Sequence, residues 1–146
     1  MGNYDNYYKY ALELQYSDGS RYYWVGKAPT PCYYCGLPAN SIDHVVPQAL
    51  LNRVKDDYEV WKALKARRRL TVDSCRECNS LLGSKYDHAL VKRKQRLKEA
   101  LIRKYINVLE IPQWNNHEIA ALSGMLQQHV LQGIKKQAIV RERLRW

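Results

Sequence analysis

The chain has 146 residues, of which 46% are hydrophobic, with 24 Lys and Arg against 14 Asp and Glu, a formal net charge of +10. The apolar fraction excludes a disordered basic tail, which could not bury enough surface to offset its chain entropy. No apolar run approaches the ~18 residues that a membrane span needs, and the first residues have no basic stretch followed by an apolar one, so a soluble, intracellular protein of the cytoplasm or nucleoid, in a cell or a virus-infected host, is expected.

A charge of +10 predicts a polyanionic partner, against the plainer reading of a solubilising surface. The charge is uneven: residues 1–52 sum to −1, residues 53–69 to +4, residues 84–104 to +6 and residues 135–146 to +4, while residues 105–134 hold no Lys or Arg. Aromatic use is also skewed, with 12 Tyr, no Phe, and nine of the Tyr in the first 34 residues. Tyrosine suits both exposed strands and base stacking.

In chain order, alternating aromatic runs at 10–16 and 21–26 flank Ser17-Asp18-Gly19-Ser20, which predicts a β-hairpin. Pro29, Pro31, Gly36 and Pro38 mark a loop around a first cysteine pair. Residues 41–46 read as a short strand stopped by Pro47. The three- and four-residue spacing of Leu50, Leu51, Val54, Tyr58, Trp61 and Leu64 predicts one helix over 48–68. A strand is expected at 70–73. A second helix is predicted from Asn79 through Leu90, Leu97 and Leu101 to Tyr105, with Gly83 as a kink. Asn115 and Glu118 have capping-box spacing, and a last amphipathic helix is expected to run to about 143. The fold class is therefore α+β and mainly helical. Its long C-terminal helices need a partner surface, and a homodimer through them is expected.

The cysteines carry the sharpest signal. Cys32-x2-Cys35 and Cys75-x2-Cys78 are the four in the chain. Two thiolates three positions apart in a tight knuckle can face one ion, and two knuckles complete a tetrahedral site, which predicts structural zinc. Disulfides are the competing reading, disfavoured without an export signal.

Between the pairs lies Asp43-His44-Val45-Val46-Pro47, and Asn79 follows the last cysteine. On a regular strand Asp43 and His44 project to opposite faces. A carboxylate and an amide oxygen suit Mg2+ or Mn2+, and a neutral imidazole suits a general base. This order of residues resembles the zinc-braced HNH endonucleases, whose ββα-metal (His-Me finger) module would cover about 30–86. The long helices that follow make the layout similar to the recombination endonuclease VII branch.

The resemblance implies a metal-dependent endonuclease hydrolysing DNA that is duplex, nicked or branched. Asp43 and Asn79 would hold the catalytic Mg2+ or Mn2+, His44 would be the general base, and the ends left would be 5′-phosphate and 3′-hydroxyl. The alternatives are a structure-selective, branched-DNA endonuclease of the endonuclease VII type and a catalytically inactive, zinc-dependent nucleic-acid-binding module. Leu70 stands where many members carry an Asn, for which Asn40 and Asn52 are candidate substitutes, and Leu82 stands where many carry Lys.

The expected organisation is thus a hairpin extension at 1–29, the nuclease module at 30–86 and a basic helical extension at 87–146. Asp87-His88 repeats the Asp-His pair; it reads as a surface pair, with His88 a reserve metal ligand. Arg67, Arg68 and Arg69 read equally as a solvated helix end or as phosphate contacts. Lys92, Arg93, Lys94 and Arg96 read as a solvated helix face that would grip a nucleic-acid backbone non-specifically.

Overall fold

The computed structural model describes residues 30–146. The hairpin expected at 10–26 lies outside them. The chain divides into two compact units, and the described residues of each are 30–100 and 101–146.

The first unit is built on two short strands, β1 (Ser41–His44) and β2 (Thr71–Ser74). They pair antiparallel with Ser41 opposite Ser74, Ile42 opposite Asp73, Asp43 opposite Val72 and His44 opposite Thr71. The two-residue period turns Asp43 inward and leaves Ile42 and His44 exposed. Between the strands run α1 (Gln48–Arg53) and α2 (Tyr58–Arg67), and after them α3 (Arg76–Leu82) and α4 (Leu90–Lys104), whose last four residues belong to the second unit.

The helix predicted over 48–68 is therefore two helices. Apolar spacing continues across the gap, but Asp57 is extended and its carboxylate accepts the Val60 N–H, which starts a new helix. Asn52, a candidate stand-in for the missing Asn, accepts from the Gln48 side chain within α1.

The helix predicted from Asn79 to Tyr105 is likewise two. α3 begins at Arg76 and ends at Gly83, whose φ of 51° favours glycine. Asn40, the other candidate, accepts the Arg76 N–H at 2.9 Å and so satisfies one donor at the start of α3.

Backbone hydrogen bonds sew the first cysteine loop to β2: Tyr33 N–H reaches the Asp73 carbonyl at 2.8 Å and Asn40 N–H the Ser74 carbonyl at 3.1 Å. Val45, Val46, Leu51 and Leu82 are buried, as the cysteines are, each stabilising the unit by about 1.5–3 kcal/mol relative to exposure. The result is a strand–strand–helix arrangement in which α3 packs on β1.

The second unit holds α5 (Ile106–Leu109), α6 (Asn116–Ala121) and α7 (Gly124–Arg145), with α5 and α6 packed on α7. The Asn115–Glu118 capping box forms as expected. The single helix expected to follow it is interrupted at Ser123, and α7 restarts at Gly124, with φ of 58°. The buried Gln137 amide donates to the carbonyls of Val108 (3.2 Å), Leu109 (3.2 Å) and Ile111 (2.9 Å). It thus supplies a donor to carbonyls at and just beyond the end of α5, of which Val108 also accepts the Ile111 N–H at 3.3 Å.

Candidate functional site

The four cysteines meet at one point. Cys32 and Cys35 come from the loop before β1; Cys75 and Cys78 come from the cap and first turn of α3. All four are buried and free of disulfides. Their sulfurs lie within 4.8 Å of one another, and Cys35 Sγ is 3.8 Å from Cys75 Sγ. A tetrahedral ion with metal–sulfur bonds near ~2.3 Å would hold its sulfurs about 3.8 Å apart.

The electrostatics agree with that donor set. Hydrogen bonds from Cys35, Cys75 and Cys78 hold the Cys32 thiol far below its ordinary range. Hydrogen bonds to Cys32 and Cys35, together with burial, push Cys75 and Cys78 far up. A divalent cation is what lets four thiols buried this close together ionise. The four cysteines could hold a metal ion such as zinc.

His44 closes β1 and is exposed. The chain just behind it is held by Val45 N–H on the Leu70 carbonyl at 3.3 Å, so Leu70 contributes through its backbone. Asn79, on α3, donates from Nδ2 to the Ile42 carbonyl at 3.2 Å and to Ser41 Oγ at 3.4 Å. His44 and Asn79 are thereby fixed to the same strand.

No family model, curated protein or solved structure matches this chain. Its chemistry rests on its own residues.

Asp43 is placed differently from a solvent-facing ion ligand. It is 2% exposed. Arg93 Nε donates to Oδ2 and Nη2 to Oδ1, each at 2.8 Å. The Tyr34 hydroxyl also donates to Oδ2. Burial first, and then the Asp43 carboxylate, push the Tyr34 phenol far up, so that it stays a donor. Burial works against the charge on Arg93, but the Asp43 carboxylate more than offsets it and holds its pKa above the ordinary arginine value. A divalent ion at Asp43 does not fit this arrangement, because both oxygens already carry a guanidinium. Among the described residues, the four cysteines are the one group of three or more possible ligands drawn from His, Cys, Asp and Glu.

The basic residues also separate. Arg93 is completely buried, which corrects its expected place on a solvated face. Its Nη1 also takes the Lys85 carbonyl at 2.6 Å. Arg96 pairs with both oxygens of Asp87 at 2.7 Å each. Lys94 sits 5.4 Å from the Tyr33 ring centre, its pKa lowered by burial and then by Lys98. Lys92 and Arg69 are exposed. Arg67 donates to the His88 carbonyl at 2.7 Å and lies against its ring, which ties His88 to α2 and away from the cysteine cluster. Arg68 donates to the Val46 carbonyl at 3.2 Å. The residues that sequence reasoning missed are Tyr34 and Arg93 as the partners of Asp43.

Proposed function

We propose that this chain acts on DNA as an endonuclease of the HNH kind, with zinc in the four-cysteine cluster as its brace and His44 as the base. The observation that carries the reading is the exposed His44 at the end of a strand that is itself held to the cysteine-capped helix through Asn79. Those three elements follow one another in the order that the HNH resemblance calls for. An exposed imidazole can accept a proton from a water molecule as that water attacks a phosphorus atom. His44 can meet a backbone lying along this face because nothing in its own strand covers it. Zinc at the cysteines would have a structural part, since all four ligands are cysteines and none is left to water.

One observation favours a second reading. The Arg93 bonds to both Asp43 oxygens support a reading in which the unit would bind nucleic acid without cutting it.

A plasmid-nicking assay with Mg2+ or Mn2+ separates the two. The expected result is nicking by the wild-type protein, lost in His44→Ala while DNA binding persists. Equal cutting by His44→Ala would remove the base assignment. Binding without cutting on linear, nicked and four-way-junction DNA would establish the second reading.

A further inference from the structure

α2 is unusual among the elements of the first unit: it has ten residues and buries none of them. Tyr58 is 63% exposed and Val60 42%. Tyr58 and Trp61, one turn apart, have ring centres 6.4 Å apart and planes inclined by 23°. Lys62 lies over the Tyr58 ring at 5.7 Å, and Lys65 over the Trp61 ring at 4.3 Å. Such a ladder can support an exposed helix by itself, through contacts between residues three apart and through cation–π attraction. The surroundings give it a direction as well. Asp56, Asp57 and Glu59 crowd the first end of the helix, while Lys62, Lys65, Arg67, Arg68 and Arg69 follow the rings. Arg53 and Lys55 partly offset those carboxylates, so an anionic backbone is held mainly at the basic end. The basic end is fastened by Arg68 to the Val46 carbonyl, two residues past His44. At 1.5 Å per residue, Trp61 lies roughly 9 Å along the helix from Arg67.

We propose that Tyr58 and Trp61, with Lys62 and Lys65, form a stacking platform for single-stranded DNA that leads to the His44 face. Flat bases stack on aromatic rings whatever their sequence, and a base entering there takes the ring face that a lysine now covers, freeing the ammonium to meet the strand's phosphates. Paired bases in a duplex offer no such faces along the strand. The proposal rests on the reading of the partner as nucleic acid, but not on cleavage.

The test uses the full, zinc-loaded chain without Mg2+ or Mn2+. Fluorescence anisotropy measures Kd for a labelled single-stranded oligodeoxynucleotide and for a duplex of the same length. Trp61→Leu, which keeps an apolar helix former, should weaken single-strand binding about tenfold, equal to about 1.4 kcal/mol. Duplex binding should change less than about twofold. Trp61→Phe should restore the single-strand affinity, and Tyr58→Leu should repeat the loss if Trp61→Leu proves unstable. Equal losses on both DNAs, or no loss, would overturn the platform. So would displacement of the single strand by polyglutamate at equal charge, which would make the surface one for any acidic chain. Unchanged strand affinity in a Trp61→Leu protein that still nicks plasmid removes the platform and leaves the endonuclease. A strand-specific loss in a protein whose wild type never cuts does the reverse.

Discussion

Arg93 holds both carboxylate oxygens of Asp43, with side chains 0% and 3% exposed. Fifty positions separate the two residues, so this pair ties α4 to β1 and fixes Asp43 on the inner face. A buried pair gains little over an apolar one, but losing one partner strands a charge. Arg93→Leu should lower the unfolding free energy by about 3–5 kcal/mol in urea denaturation. Replacing Asp43 by Val together with Arg93 by Leu should cost less than Arg93→Leu alone. If the double variant were the less stable of the two, the stranded charge would not be the cause.

Asp87 and Arg96 form a second two-pronged pair, nearer solvent, with Arg96 41% exposed. The Arg96 hydrogen bonds hold the Asp87 carboxyl below its ordinary value, against some burial. The folded protein therefore binds this proton less readily than the unfolded chain. The stability it contributes is complete above the usual aspartate pKa of about 3.9 and is lost as pH falls through the lower folded value. Asp87→Asn should flatten that acid limb of a Tm-against-pH curve while leaving its slope above about pH 6 unchanged. Because Arg96 is partly in water, the loss at neutral pH should be small.

The legible parts of the fold were those fixed by local chemistry. The cysteine spacing announced a four-sulfur cluster, and the Asn115–Glu118 spacing announced a cap that forms. Asp43 and His44 point to opposite faces because a strand alternates. Helix breaks were missed because apolar spacing runs through them; Asp57 and Gly124 decide them by capping and by backbone conformation. The destination of Asp43 was missed because it depends on Arg93, far along the chain. Even so, Arg93 lies on the same face as Leu97 and Leu101, at steps of four, and all three are buried. Grouping Arg93 with its basic neighbours hid that period.

Gln137 tests how the second unit is closed. Its amide serves three carbonyls, at Val108, Leu109 and Ile111, while its side chain sits in the packed side of α7. Gln137→Leu keeps the volume and removes the donors. Losing the amide's bonds to these part-buried carbonyls costs about 0.5–1.5 kcal/mol, so urea denaturation should show a loss in that range. Gln137→Glu, ionised, sets an acceptor against acceptors and should cost more than Gln137→Leu at neutral pH. A Glu variant as stable as the wild type would show that the amide donors are not what holds these carbonyls.

The cysteine cluster makes the last prediction. Four buried thiols carry little packing area between them, and the loop that brings Cys32 and Cys35 to α3 has only a few backbone bonds of its own. Binding of an ion at such a site is folding free energy, since no preformed site exists in the unfolded chain. Protein purified without chelator should hold about one zinc per chain by elemental analysis. Extraction with a strong chelator at neutral pH should release the segment from 30 to 40 first. In hydrogen exchange, the amides of Tyr33, Gly36 and Asn40, which are bonded to Asp73, Cys32 and Ser74, should lose protection. Returning zinc should restore it, whereas Mg2+ should not, because thiolates favour the softer ion. Cys78→Ser should behave as the stripped protein does even with zinc added. Protection that survived chelation would mean that backbone bonding and the buried side chains suffice, and the cluster would then not be the brace of this unit.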